Sequence, residues 1–178
     1  MGVTVELRPA TLEDEWLTVA METDPRVMAE LGGPWTVEEA RAAHRRRTGP
    51  AAKDGNWWLA ILPGPGQPPI GTIGVWASEW AGEPISETGW MILPEHQGKG
   101  YASAALAALL ERARHDPRWG DIHAFPGVTN GPSNALCRKF RFEHLEEVTV
   151  DYAGRILRCN RWVLRAAPDR APDLAPAG

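Results

Sequence analysis

Six consecutive residues, Gln97-Gly98-Lys99-Gly100-Tyr101-Ala102, have the makings of an anion site. Two glycines let the backbone turn tightly and present successive N–H groups. The Ala/Leu-rich segment that starts at about Tyr101 reads as a helix, whose N-terminus adds its own donors. A phosphate or pyrophosphate fits such a cradle. It is not the loop of a P-loop NTPase, because Lys99 is followed by Gly100 rather than Ser or Thr. Lys99 either adds a positive charge there or points at solvent. Upstream, Glu87, Gly89 and Met91 recur with a period of two, which sets all three on one face of a regular strand. A carboxylate on that face can take the proton of an amine, directly or through water. The plainer alternative is a solvated glutamate. Glu79 and Glu83, in what reads as the preceding loop, are other acids that could serve. Downstream, Asn130 and Ser133 open a short helix, where Asn is also a favoured cap. Cys137 follows on that helix. Its thiol, with an ordinary pKa of about 8.5, is a candidate proton donor, or it is a small buried hydrophobe.

These groups need a scaffold, and the periodicities supply one. Alternation over 3–8 predicts a strand. Thr11 with Asp14, and Thr36 with Glu39, predict capped helices running to about Met21 and over 36–47, with a helical turn from Pro25 to Leu31 between them. Apolar runs at 56–62 and 70–78, split by Pro63-Gly64-Pro65-Gly66, predict an antiparallel hairpin. Further strands are expected at 85–93, 121–128, 142–152 and 155–165, the last two joined at Ala153-Gly154. Helices are expected at 101–114 and 132–140. The order predicts a mixed sheet with helices on its faces, whose parallel part is the unit from 85 to 128. A ligand belongs at the carboxyl ends of those central strands.

Composition narrows the class. The length of 178 residues suits one domain, here 1–166, with 167–178 as a Pro/Ala-rich tail expected to be disordered. A net charge of −4 argues against nonspecific nucleic-acid binding. The basic run His44–Arg47 suits an exposed helix end facing the negative pole of the dipole. No apolar run is long enough to span a bilayer, and Met1–Pro9 lacks the pattern of a signal peptide, so a cytoplasmic protein is expected. Cys137 and Cys159 fit reduced thiols, and no Cys/His cluster has metal-ligand spacing. His96 and His123 read as structural.

The chain resembles the GNAT superfamily of acyl-CoA N-acyltransferases in three places. The hexapeptide at 97–102 matches that family's pyrophosphate motif, Gln/Arg-x-x-Gly-x-Gly/Ala. Glu87-Thr88-Gly89-Trp90, with Pro94-Glu95, is similar to its Glu-x-Gly-hydrophobic…Pro-Glu strand. Asn130-Gly131-Pro132-Ser133 and Lys139-Phe140-Arg141-Phe142 are similar to its Asn-x-x-Ser…Lys-x-Gly-Phe helix. The conjunction carries the likeness, which looks closest to the branch holding ribosomal-protein N-terminal-amine acetyltransferases and many small-molecule acetyltransferases.

The resemblance implies a fold, a mostly antiparallel mixed α/β sheet of about seven strands splayed in a V at its central parallel pair. It implies acetyl-CoA as cofactor, held by Met91, Leu93, Gln97, Gly98, Lys99, Gly100, Tyr101, Ala102, Asn130 and Ser133. A β-bulge at Gly89 would splay the strands, the pantetheine arm would pair with the exposed edge, and the Met91 amide would face the thioester oxygen. Glu87 and Cys137 would be catalytic, and Trp35, Trp80 and Tyr152 would wall the acceptor side. The acceptor would be a small-molecule or peptide amine, with the protein a monomer or homodimer. Two departures stand out: Arg141 replaces the usual glycine, and Cys137 stands where many members carry a tyrosine acid. Cys137 keeps open a different class of function, a non-catalytic acyl-CoA-binding module. With one carboxylate as visible base, an α-amine (pKa about 7.7–8.0) is easier to free at neutral pH than a lysine amine (about 10.4), by roughly 3–4 kcal/mol.

Overall fold

The computed structural model describes residues 2–50, 52 and 55–166, so the tail expected at 167–178 lies outside the described residues. A seven-stranded sheet runs in the order β1-β2-β3-β4-β5-β7-β6. Its strands are β1 (Glu6–Pro9), β2 (Trp57–Leu62), β3 (Gly71–Trp80), β4 (Glu83–Ile92), β5 (Ile122–Ala124), β6 (Glu143–Tyr152) and β7 (Arg155–Leu164). All neighbours pair antiparallel except β4 and β5, which are parallel. The helices are α1 (Glu15–Glu22), α2 (Pro25–Met28), α3 (Val37–Thr48), α4 (Tyr101–Ala113) and α5 (Gly131–Lys139).

Both faces of the sheet are covered because the central strands are apolar on both. Leu59, Ile61, Ile73 and Val75 form one buried cluster with Leu106 and Leu109 of α4 and Cys137 of α5. Leu17 and Met21 of α1 make a second with Leu93 and Met91. Burying each such side chain contributes about 1.5–3 kcal/mol. The capping box read at Thr36 and Glu39 forms, Glu39 accepting from the Thr36 N–H at 2.7 Å. At Thr11 and Asp14 it forms too, with Arg8 forked onto the Asp14 carboxylate at 2.7 and 2.8 Å.

Several elements differ from expectation. Trp80, Glu79 and Glu83 do not lie in a loop: β3 and β4 run on to a two-residue turn, Ala81-Gly82, with φ of 52° and 84°. Both central residues lie in the left-handed region, as in a type I′ hairpin turn. The expected strand 121–128 is cut to Ile122–Ala124, since Pro126 has no N–H to give a ladder. The chain nevertheless follows β7 past that point, with Asn160 N–H donating to Pro126 O and Val128 N–H to Arg158 O. No bulge interrupts β3 and β4 at Gly89; one register holds from Gly71↔Ile92 to Trp80↔Glu83. Gly89 serves a close approach instead: a Cβ there would stand 3.0 Å from the Trp76 indole.

Arg141 keeps the backbone a glycine would adopt, at φ 61°. Arg141 N–H donates to Arg138 O and Phe142 N–H to Cys137 O, the Schellman closure of a helix, with buried Phe142 completing it.

Candidate active site

The parallel pair makes an opening in the sheet. β4 and β5 pair only at Ser86↔Ile122 and Glu87↔His123. β5 then ends at Ala124 while β4 continues to Ile92, leaving one edge of β4 uncovered. Here the expected splay arises, without a bulge. A cleft of about 770 Å³ occupies the gap, lined by Glu87–Ile92, by the α4 N-terminus, by Phe125–Gly127 and the start of α5, and by side chains from α2, α3, β2, β3 and β6.

The register decides which amides face the gap. Ile70 and Leu93 continue the β3–β4 pairing, and Leu93 N–H donates to Ile70 O at 2.9 Å. Hydrogen-bonded pairs alternate along an antiparallel ladder, so Met91, opposite Thr72, turns its N–H to β3. The amide of Thr88 turns to β5, where Glu87 pairs with His123, and those of Trp90 and Ile92 turn to the gap. Ile92 O confirms the alternation by accepting from Gln97 Nε2 at 2.9 Å. The Met91 amide, expected to face a thioester oxygen, is therefore turned away from the gap. Met91 lines the cleft with its side chain, and Leu93 is buried outside the lining.

At the other end of the opening lies the glycine loop. Gly98 and Gly100 have φ of 71° and 86° and both line the cleft. Gly100 is the N-cap of α4, and no side chain caps it. By contrast, Thr36 caps α3 and Asn130 caps α5. The first N–H groups of α4, at Tyr101, Ala102 and Ser103, are left for an anion. Gln97, Tyr101 and Ala102 line the same end; Lys99 is exposed and outside the lining. Asn130 and Ser133 reach the cleft, but Asn130 Oδ1 already accepts from the Ser133 N–H at 3.1 Å.

Glu87 opens onto the middle of the cleft. Burial pushes its carboxyl above the ordinary range, opposed by hydrogen bonds from Ser78 and Trp76. Tyr152 lines the same cleft, its phenol raised by burial. Trp35 stacks on Tyr152 at 5.8 Å and so supports the wall from behind. Trp80 packs on Phe125 at 5.1 Å and takes Arg161 over its ring, outside the lining.

Cys137 is placed elsewhere. It is fully buried in the main core, and desolvation pushes its thiol up to about 12. A side chain walled in by Leu106 and Leu109 has no route to a leaving group in the cleft.

Sequence reading missed four contributors. Trp58 and Trp76 stack at 4.6 Å beside Glu87. Arg47 lies 4.9 Å over Trp58. Asn134 is buried on α5 and fully bonded, donating to Gly127 O and Asn130 O and accepting from Asn160 Nδ2 and Trp162 Nε1, all at 2.8–2.9 Å. It fixes the loop after β5 that forms one cleft wall. The only sequence signal was an asparagine inside a helix, where it is disfavoured without a partner.

Among the described residues, no helix is long and apolar enough to cross a membrane, and no group of three or more His, Cys, Asp or Glu could hold a metal ion.

Comparison with known proteins agrees with the fold. Residues 4–143 match the model of the acetyltransferase (GNAT) domain. Among solved structures, an acetyltransferase of the GNAT family from Bacillus anthracis is 20% identical with a TM-score of 0.74, covering 93% of this chain and 97% of that one. A spermidine N-acetyltransferase from Vibrio cholerae, solved with CoA and spermine, is 16% identical with a TM-score of 0.74 over 92% and 96%. An aminoglycoside acetyltransferase solved with coenzyme A is 18% identical with a TM-score of 0.72 over 91% and 95%. No curated protein sequence matches significantly. With the family model spanning most of the chain and the sheet opening where the glycine loop meets β4, the chain belongs to the GNAT acetyltransferase family.

Proposed function

We propose that the protein transfers an acetyl group from acetyl-CoA to a primary amine, with Glu87 as the base. One observation carries this reading: a single cleft joins an uncapped helix N-terminus, an unpaired strand edge and a half-buried carboxylate. The diphosphate of the cofactor meets the N–H groups at 98–103, where glycine permits close approach. The pantetheine arm lies along the open edge of β4. The thioester carbonyl then sits by the free amides of Trp90 and Ile92, whose dipoles are fixed before charge develops on its oxygen.

The amine enters from the side of Trp58, Trp76 and Tyr152. Glu87 removes its proton, and burial favours this by raising carboxyl basicity toward the working pH. The nitrogen attacks the carbonyl carbon, the tetrahedral intermediate collapses, and the C–S bond breaks. Cys137 takes no part in this scheme; the thiolate is protonated by solvent entering the open cleft or by Tyr152, the phenol that lines it.

Calorimetry with CoA, followed by thiol release from acetyl-CoA across a panel of amines, tests the reading. Coenzyme binding with amine-dependent release supports it. Tight binding with no release for any amine would make the chain a binding module, and no binding would remove both.

A further inference from the structure

We infer that the acceptor is a small α-amino acid and that Arg47 is the residue that recognises it, holding its carboxylate while Glu87 faces its amine. This rests on reading the cleft as an acetyl-transfer site. The run His44–Arg47 looks in sequence like a solvated helix end. Arg41 and Arg45 do behave so, pairing with Glu15 at the surface. His44 instead is buried, between the Thr18 hydroxyl and Thr11 O. Arg47 turns into the cleft, with a side chain 23% exposed.

Two contacts aim the guanidinium. Nη1 donates to Glu22 Oε1 at 2.5 Å, the ring of Trp58 lies beneath it at 4.9 Å, and the Tyr152 side chain lines the cleft with it. Glu22 is 1% exposed and stands behind the arginine rather than in the lining. These contacts use part of a group with five N–H donors. The other charged groups of the lining are engaged: Arg26 is forked onto Asp24, and Glu30 accepts from Thr129. Tyr152 lines the same cleft as Arg47 and Glu87. Arg47 lies over Trp58, Trp58 stacks on Trp76, and Trp76 stands opposite Glu87 in the sheet, so the guanidinium and the base line one wall of the same cleft.

The chemistry favours that occupant. A carboxylate beside an ammonium holds the proton on the nitrogen. Pairing it with Arg47 cancels that field and eases transfer to Glu87. Arginine accepts carboxylates in a planar fork that a carboxamide cannot match in charge. A polyamine would bring a second cation against the guanidinium.

The test is acceptor selectivity, read as kcat/KM for thiol release with α-amino acids, the matching carboxamides, spermidine and a short peptide. The wild-type protein is expected to favour acids over their amides by about tenfold or more, one charged hydrogen bond's worth. Arg47→Gln is expected to collapse that ratio toward one, and Arg47→Lys to retain part of it. Should Arg47→Gln fail to fold because Glu22 is left unpaired, the double variant Glu22→Gln, Arg47→Gln carries the same comparison. Amides, spermidine or peptide preferred by the wild-type protein, or a preference that survives loss of the guanidinium, would overturn the inference alone. No release with any amine would remove the transfer reading and this inference together.

Discussion

Gly98→Ala separates cofactor binding from folding. The substitution meets no protein atom within 4 Å of the new Cβ, so its only folding cost is the left-handed backbone at φ 71°. That cost is about 1–2 kcal/mol for an L-residue, or a fall in Tm of about 2–8 °C for a chain of this size. Gly66 is a matched control: its φ is 69°, it too has nothing within 4 Å, and it lies in the β2–β3 loop away from the cleft. Gly66→Ala should therefore lose similar stability. The two differ in what the ligand meets. At Gly98 the methyl group stands where a phosphate oxygen must approach the N–H groups. Loss of one charge-assisted hydrogen bond costs about 1.5–3 kcal/mol, which is roughly 10–150-fold in Kd. Calorimetric titration with CoA on both variants, alongside thermal melts, reads both quantities. Equal stability losses with unchanged affinity in both variants would refute the placement of the diphosphate at this loop.

Further outcomes follow from the same geometry. Glu87→Gln should lower kcat by about 10²–10⁴-fold, and the wild-type rate should fall with decreasing pH through a pKa above the ordinary 4.5. Because the folded carboxyl binds its proton more tightly than the unfolded one, the wild-type fold loses stability as pH rises from 4.5 through the raised value; Glu87→Gln should melt higher than wild type at pH 8 and the gap should close at pH 4. Cys137→Ala should cost about 1 kcal/mol of stability and leave kcat within about twofold; a tenfold fall in kcat at full folding would return the thiol to the mechanism. Arg141→Gly should raise stability by about 0.5–1 kcal/mol in urea melts, the relief of a left-handed side chain less the entropy of glycine; no gain would mean that the arginine side chain offsets its own strain.

Sequence and structure agree best where chemistry is local. Thr36 with Glu39 and Gly98 with Gly100 announce themselves because a cap or a turn is specified within a few residues. The strand that carries Glu87 was legible by its apolar run and its period of two. What failed was anything set between strands. Which β4 amide is free depends on its pairing with β3, and the one-residue shift from Met91 to its neighbours cannot be read from either strand alone. The Ala81-Gly82 turn lacked the Asn-Gly or Asp-Gly signal, so Trp80 and Glu83 looked like loop residues. Cys137 has helical spacing from Asn130 that suits both a cleft and a core, and only packing against Leu106 and Leu109 decides for the core.

This difference divides the cleft itself. The end proposed for the cofactor is made of backbone: glycine φ values, an uncapped helix and an unpaired strand edge. Those features tolerate almost any side chain nearby, which explains how the fold persists at 16–20% identity to the solved relatives. The end proposed for the acceptor is made of side chains from α3, β2, β3 and β6, with Arg47, Trp58, Trp76 and Tyr152 each contributed by a different element. None of these positions is set by the backbone conformation there, although Arg47 is tied to buried Glu22 and Trp58 to Trp76. Acceptor choice is therefore free to vary while the cofactor end stays fixed, so a relative's acceptor is a poor guide to this one. The charge balance around Arg47, Glu22 and Glu87 is the better guide.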